Sequence, residues 1–288
     1  MIGAFDSGIG GLTVVKAIWK LLPQAPLIYF GDTARTPYGN KSAEVVSTFG
    51  VEAARFLVSR GVTVLVVACN TVSAVGMDAL KNEFPALPIF EVITPAVEKV
   101  RGLSKSKRVG IIGTRALVNS NIYKNLLTNE GFQVFQQAAP LLVPLVEENW
   151  LDKPETKRII KGYLRALKQQ QVDTLVLACT HYPLLKKIIA SRVGKKVKIV
   201  DPADEVAVKL KEYLATSGNQ EQLGSTPSHF YVSDLTPHFQ EIAQKWLDRK
   251  INLEKVSLHP ADNGTAAQLI KEAKPRTVPS GSSTGVKL

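Results

Sequence analysis

The sequence predicts an α/β fold of two pseudo-symmetric domains, each with a mainly parallel central sheet flanked by helices, and a cleft between them. Two observations lead to this prediction. Short β-rich runs alternate along the 288 residues with amphipathic helical patterns, as they do in βα units. In addition, residues 62–71 and 172–181 are offset by 110 positions and share five of their ten residues. Each predicted domain therefore contains one copy of the same strand.

Four strands are predicted in the first domain and five in the second, from runs of β-branched and aliphatic residues. Those of the first domain are "MIGAF", "PLIYFGD", "VTVLVVAC" and "PIFEVI". Those of the second are "RVGIIGT", "FQVFQQ", "LLVPLV", "DTLVLAC" and "VKIVD". Residues 42–60 and 153–170 have apolar residues at helical spacing, and Pro154 suits the first turn of the second helix.

The domain boundaries are placed where the strand pattern restarts, near Thr94 and Pro95, and where it ends, near Asp204. The predicted first domain comprises residues 1–94 together with 206–262, and the second comprises residues 95–205. The sequence equally allows residues 206–262 to form a separate appendage. Residues 263–288 contain "PSGSSTG" and lack a long periodic pattern, so they are predicted to be a disordered tail.

Charge and composition limit the classes of partner. The chain has a formal net charge of +11, and residues 95–205 hold 19 Lys and Arg against 10 Asp and Glu. We interpret this excess as solvated surface, because no helix-turn-helix, zinc-finger or RNA-recognition signature accompanies it. Dedicated nucleic-acid binding is therefore not expected. No apolar run reaches the roughly 18 residues that span a bilayer, and no signal peptide is recognisable, so a cytoplasmic protein without membrane attachment is predicted.

The two cysteines end equivalent strands, and polar residues follow each of them. Cys69 precedes Asn70 and Thr71, and Cys179 precedes Thr180 and His181. A buried cysteine often serves as a small hydrophobic residue, but these matched positions and polar successors favour chemistry. A free thiol with a pKa of about 8.5 can act as an acid or a base. A thiolate and a thiol on opposite faces of a carbon acid could remove and return its α-proton without a metal or cofactor, which is racemisation.

Three further segments contain candidate site residues. The turn "FDSGIGG" offers Asp6 and Ser7 at a helix amino terminus, where a carboxylate could hold an ammonium group or set the protonation of a thiol. The loop "GDTARTPYGNKS" could close over a ligand through Pro37, Tyr38 and Gly39. Glu147 follows the apolar run "LLVPLV" and is predicted to lie at a strand end.

Five motifs in order along residues 1–215 resemble the glutamate racemase family: "FDSGIGGLTV", "GDTARTPYGNKS", "VVACNTVSA", "VPLVEE" and "LACTHYPLL". The resemblance implies a cofactor-independent enzyme that supplies D-glutamate for peptidoglycan, with its active site between two α/β domains. It implies that Cys69 acts on the D-enantiomer and Cys179 on the L-enantiomer. The implied substrate contacts are Asp6, Ser7, Tyr38, Gly39, Asn70, Thr71, Thr180 and His181, and Thr114 at the end of "GIIGT" is added to them.

Within this resemblance, Asp6 is expected beside Cys69 and His181 beside Cys179, with Glu147 assisting on the second side. The sequence departs from the family pattern at Val72, Ala178 and Glu91, where the family usually has alanine, glycine and glycine respectively. The first two changes leave every proposed chemical group in place. No role for Glu91 follows from the sequence.

Several alternatives stay open at this stage. An aspartate or hydantoin racemase would use the same two cysteines, since selectivity for side-chain length does not follow from residue types. Cys69, Cys179 and His181 could instead bind a catalytic zinc, although the usual short ligand spacings are absent. A two-domain protein that only binds an amino acid is a third hypothesis. A homodimer is one option for assembly, and the basic middle segment leaves open an interaction with DNA gyrase, as some family members show.

Overall fold

The computed structural model describes residues 1–216 and 227–258, so the predicted tail at 263–288 lies outside the described residues. This part of the chain forms ten strands and twelve α-helices. The strands are β1 (Ile2–Asp6), β2 (Leu27–Gly31), β3 (Val64–Val67), β4 (Ile89–Glu91), β5 (Arg108–Gly113), β6 (Gln133–Ala138), β7 (Thr174–Ala178), β8 (Lys198–Val200), β9 (His229–Val232) and β10 (Leu253–Lys255).

The helices alternate with the strands, as the βα pattern predicts. They are α1 (Leu12–Leu21), α2 (Ala43–Ser59), α3 (Asn70–Val75), α4 (Met77–Glu83), α5 (Ile93–Leu103), α6 (Arg115–Ser120), α7 (Ile122–Thr128), α8 (Leu142–Glu147), α9 (Pro154–Gln169), α10 (Lys186–Val193), α11 (Pro202–Thr216) and α12 (Pro237–Leu247). Short 3₁₀ turns cover Tyr38–Asn40 and Tyr182–Leu185. Among the described residues, no helix combines the length and the apolar character needed to cross a membrane.

The strands form two sheets in which every pairing is parallel, and this confirms the predicted fold class. The first sheet has the order β10-β9-β2-β1-β3-β4, and the second has the order β6-β5-β7-β8. The cysteine-bearing strands β3 and β7 are interior strands, and all their residues are buried. That burial explains why both read as continuous apolar runs rather than alternating ones.

Two apolar clusters cover the two faces of the first sheet. Successive residues of a strand point to opposite faces, so Ala4 and Val66 join one cluster, and Phe5 and Val67 join the other. The first of these clusters continues without a break into the core around the second sheet. The two sheets are therefore held together by shared apolar packing as well as by polar contacts.

The chain passes between the sheets twice. Helix α5 follows β4 of the first sheet and precedes β5 of the second, and α11 follows β8 and packs against both α1 and α5. Strands β9 and β10 then lie in the first sheet, where β9 pairs with β2.

One strand prediction is wrong. The run "LLVPLV" forms helix α8 instead of a strand. Pro144 explains the difference, because proline cannot donate to a sheet ladder but is tolerated in the first turn of a helix, where the N–H has no intrahelical partner. Leu142 and Val146 are buried four residues apart, which is the spacing of one helix face. Glu147 therefore ends a helix rather than following a strand.

The structure also gives Glu91 a role. Its carboxylate accepts hydrogen bonds from the backbone N–H groups of Ile93 (2.5 Å) and Thr94 (2.7 Å) in the first turn of α5. These N–H groups have no partner within the helix, so the side chain caps the helix that joins the two sheets.

Replacing Glu91 with alanine is expected to lower the free energy of unfolding by about 1 kcal/mol, the typical contribution of a helix cap. Urea unfolding followed by circular dichroism measures this change. Glu98→Ala is the matched control, because Glu98 is exposed on the same helix, and its effect is expected to stay within about 0.5 kcal/mol. Equal effects of the two substitutions would contradict the capping role.

Candidate active site

Cys69 lies in the turn between β3 and α3, buried with only 3% of its surface exposed. The pKa of its thiol is raised to about 12, chiefly by burial and further by the nearby charge of Asp6. The backbone N–H of Val72 and the hydroxyl and N–H of Ser7 face the sulfur and act in the opposite direction. Cys69 is therefore a protonated thiol at neutral pH, poised to donate.

Asp6 ends β1 next to this thiol and is also buried. Its Oδ2 accepts a hydrogen bond of 2.9 Å from the backbone N–H of Gly11, whereas its Oδ1 is buried without a hydrogen-bond partner. Burial raises the pKa of the carboxyl group, although the His181 charge and the backbone N–H groups of Gly11, Ser7 and Gly8 partly oppose that rise. A buried acceptor without a partner is costly, so Oδ1 is suited to meet a donor from a bound molecule.

Cys179 lies immediately after β7, and a relay of two side chains extends behind it. The Sγ of Cys179 is 3.9 Å from Nδ1 of His181, and Nε2 of that histidine is 3.0 Å from Oε1 of Glu147. Burial lowers the pKa of His181, but the hydrogen bonds and charges of Cys179 and Glu147 outweigh it and raise the pKa to about 10. His181 is therefore an imidazolium at neutral pH.

The two thiols consequently have different environments. Cys69 has an acidic neighbour, whereas Cys179 has a cation supported by a carboxylate. Two thiols that face the same space from opposite sides can act as an acid and a base for a proton transfer.

One small cavity of about 30 Å³ lies between the two cysteines. Its lining comprises Ser7, Thr36, Pro37, Tyr38, Gly39, Cys69, Asn70, Thr71, Thr114, Val143, Cys179, Thr180 and His181. Eleven of these thirteen residues are predicted from the sequence, and Thr36 and Val143 are the two that are not. Asp6 and Glu147 do not line the cavity but lie behind it. Its volume is far below the roughly 150 Å³ of a protein cavity that holds benzene, so its walls must separate before an amino acid can enter.

Tyr38 is held by Asp32, a residue outside the predicted site. Its hydroxyl donates to Oδ2 of the fully buried Asp32, which also accepts from Nε of Arg35 at 2.6 Å and, through Oδ1, from Oγ of Ser233 at 2.7 Å. The Tyr38 hydroxyl is thus already engaged. Asp32 fixes the loop that carries Pro37 and Gly39 over the cavity.

The two walls of the cleft meet through small residues and hydroxyl groups. Oγ1 of Thr71 is 3.1 Å from Oγ1 of Thr114, and Oγ1 of Thr13 donates to the carbonyl oxygen of Thr180 at 2.9 Å. A Cβ at Gly39 would lie 2.7 Å from Cβ of Thr114. The described structure therefore has a closed cleft, in which a single added methyl group would force the walls apart.

Gly10→Ala is expected to reduce the activity of this site about 10- to 100-fold, because small displacements of reacting groups have effects of this size. The added Cβ would lie 2.5 Å from Cε1 and 2.6 Å from Nδ1 of His181, which faces Cys179. Steady-state kinetics measures the loss. Gly102→Ala is the control, since a Cβ there meets nothing within 4 Å. An active Gly10→Ala variant would show that the cleft need not close as tightly as it does here.

The described residues contain no group of three or more His, Cys, Asp or Glu side chains arranged to hold a metal ion.

Comparisons with known proteins show the family to which the chain is similar. The sequence pattern of the Asp/Glu/Hydantoin racemase family matches residues 13–210. The chain is 44% identical over 264 residues to a glutamate racemase from Geobacter metallireducens, covering 89% of this chain and 96% of that protein. The crystal structure of glutamate racemase isoform RacE1 from Bacillus anthracis superposes with a TM-score of 0.84 at 35% identity, over 90% of this chain and 97% of that one.

A second similar structure contains a ligand. It is a glutamate racemase from Francisella tularensis in complex with D-glutamate, with a TM-score of 0.81, 36% identity, and coverage of 89% of this chain and 97% of that chain. An aspartate racemase homologue from Pyrococcus horikoshii is only 18% identical and shares the fold alone.

Proposed function

Because this chain belongs to the Asp/Glu/Hydantoin racemase family, and is therefore a racemase, we propose that it interconverts L- and D-glutamate by proton transfer between two thiols. One observation supports this mechanism most directly. Cys69 and Cys179 follow interior strands of two different sheets and line the same cavity. A substrate between them would have one sulfur on each face of its α-carbon.

In the proposed reaction Cys69 starts as a thiol and Cys179 starts as a thiolate. With L-glutamate, the Cys179 thiolate takes the α-proton, the C–H bonding pair stays on the α-carbon, and the Cys69 thiol then gives its proton to the opposite face. D-glutamate follows the reverse sequence once the two sulfurs have exchanged protonation states. Burial and the charge of Asp6 raise the pKa of the Cys69 thiol and so favour its protonated form, and the His181 imidazolium faces Cys179. No electron acceptor is needed, because the reaction is redox-neutral.

The polar groups around the cavity suit an amino acid that carries both an ammonium and carboxylate groups. Asn70 lines the cavity and its Oδ1 is a buried acceptor without a hydrogen-bond partner, so an ammonium group could donate to it, whereas the equally unpartnered Oδ1 of Asp6 lies behind the cavity. The hydroxyls of Thr71 and Thr114 now pair with each other and could turn towards a carboxylate. Because these groups are neutral, they can bind a carboxylate without protonating or masking a thiolate.

Substrate identity is carried over from the relatives. The curated relative from Geobacter metallireducens and the structural neighbours from Bacillus anthracis and Francisella tularensis are all glutamate racemases, and the last contains D-glutamate. We infer the same substrate here, and with it the supply of D-glutamate for peptidoglycan.

The test is deuterium incorporation at the α-carbon in ²H₂O, without added cofactor, starting separately from L- and D-glutamate. We expect both enantiomers to racemise and the product to carry deuterium. Aspartate and a 5-substituted hydantoin are run in parallel. Exchange of either of these without exchange of glutamate would keep the two-thiol mechanism and refute the substrate. Binding of glutamate without any exchange would identify an amino-acid-binding protein instead.

A further inference from the structure

Helix α12 connects β9 to β10, which lie side by side at one edge of the first sheet. It nevertheless contacts the relay behind Cys179. The indole ring of Trp246 packs edge-on against the His181 ring, with centroids 5.8 Å apart and planes at 87°. His238 at the other end of the helix donates from Nε2 to the main-chain oxygen of Glu147 at 2.9 Å. Lys245 donates to Oδ1 of Asn149 at 3.0 Å, just beyond the end of α8.

These contacts restrict the one movement that remains open to His181, which is rotation of its imidazole ring. Its Nδ1 faces Cys179 and its Nε2 faces Glu147, so only a rotation of the ring could spoil both contacts together. An edge-to-face aromatic neighbour opposes that rotation. Trp246 is well placed for this task, because it is only 4% exposed and its main-chain oxygen accepts a hydrogen bond of 2.9 Å from Nζ of Lys16.

We propose that Trp246 is a positioning residue that holds the His181 ring in line between Cys179 and Glu147, and so supports proton transfer specifically on the Cys179 side of the reaction. This inference rests on the proposed racemase mechanism. The Cys69 side uses other groups, namely Ser7 and the N–H of Val72. Loss of the Trp246 ring should therefore slow one of the two proton transfers and leave the other at its normal rate.

Rates alone cannot reveal such a selective defect. The two enantiomers are equal in free energy, so the equilibrium constant is unity and kcat/KM must fall equally in both directions. The isotope effect does distinguish the two steps. With α-deuterated L-glutamate, Cys179 removes the deuteron, so a slow Cys179 step raises the isotope effect. With α-deuterated D-glutamate, Cys69 removes the deuteron in the faster step, and the isotope effect falls.

The experiment compares primary isotope effects on kcat/KM from both enantiomers for wild type, Trp246→Leu, Trp246→Phe and Trp19→Leu. Trp19→Leu is a matched control, because Trp19 and Trp246 line the same cavity of about 520 Å³, while the Trp19 ring packs on Phe230. Both leucine variants therefore enlarge the same cavity.

For Trp246→Leu we expect kcat/KM to fall about ten-fold, with a larger isotope effect from L-glutamate and a smaller one from D-glutamate than in wild type. Trp246→Phe keeps an aromatic ring at this position and should return the ratio of the two isotope effects close to its wild-type value. Trp19→Leu should leave the ratio of the two isotope effects unchanged. A Trp246→Leu enzyme whose two isotope effects keep the wild-type ratio overturns the inference, whereas a wild-type chain that does not racemise glutamate overturns the proposed function itself.

Discussion

Cys69→Ser and Cys179→Ser are each expected to reduce glutamate racemisation about 10³-fold, because a serine hydroxyl is a far weaker acid than a thiol and general acid–base catalysis typically contributes 10²- to 10⁴-fold. The two variants should differ in the exchange that remains. Cys69→Ser keeps the Cys179 base and should exchange the α-proton of L-glutamate without inversion. Cys179→Ser should do the same with D-glutamate.

Chiral chromatography combined with mass spectrometry of the recovered substrate in ²H₂O measures both racemisation and exchange. Both cysteines are buried, so thermal unfolding must first show that each serine variant is folded. A folded variant that keeps a tenth or more of wild-type racemisation would refute the two-thiol mechanism. Exchange of the opposite enantiomer in each variant would keep the mechanism but reverse the assigned roles of the two cysteines.

The positions of the candidate site residues could be predicted from the sequence, because local pattern determines where a buried strand ends. An apolar strand inside a parallel sheet has to end at the sheet edge, where ligands bind, and the residues that follow it are exposed to that site. The positions of Cys69 and Cys179 could be predicted in this way. The positions of the polar residues that directly follow them could be predicted for the same reason. Glu91 has no comparable signal, because its capping role depends on the direction in which the next helix starts.

The supporting residues could not be predicted, since they come from elements far away in the chain. Trp246 reaches His181 across 65 positions of sequence, and nothing in the pattern of α12 indicates which face of that helix meets His181. Val143 lines the cavity only because residues 142–147 form a helix. Pro144 indicates in the sequence that this segment is not a strand, because proline is disfavoured inside a sheet. Asp32 could have been found from its place in the loop motif that also contains Tyr38.

The closed cleft links catalysis to motion. A cavity of about 30 Å³ excludes the substrate, so the hydroxyl pair of Thr71 and Thr114 must separate before binding. Thr13 contacts Thr180, and His238 contacts Glu147. These two hydrogen bonds connect the region of the relay behind Cys179 to other parts of the chain. Separation of the walls would therefore also disturb contacts made by the residues next to Cys179 and His181.

Glu147→Gln is expected to lower kcat about 100-fold, as loss of an aligned acid–base partner typically does, and to shift the alkaline limb of the pH–rate profile to lower pH. Burial favours neutral His181, and the Cys179 and Glu147 contacts raise its pKa to about 10 against that effect. Removing the Glu147 charge takes away one of these two supports. The imidazolium that faces Cys179 is then lost at a lower pH.

The free energy of unfolding should also decrease as the pH rises towards the pKa of His181. The pKa of His181 is higher in the folded protein than its ordinary value of 6.5, so its contribution to stability is fully present below about pH 6.5 and disappears as the pH rises through about 10. Urea unfolding at pH 6.5 should show wild type to be more stable than Glu147→Gln, with the difference shrinking towards pH 10. The exposed neighbour Glu148 provides the control, because Glu148→Gln alters charge at the same helix end without touching His181. If both substitutions moved the alkaline limb equally, general electrostatics rather than the relay would explain the pKa of His181.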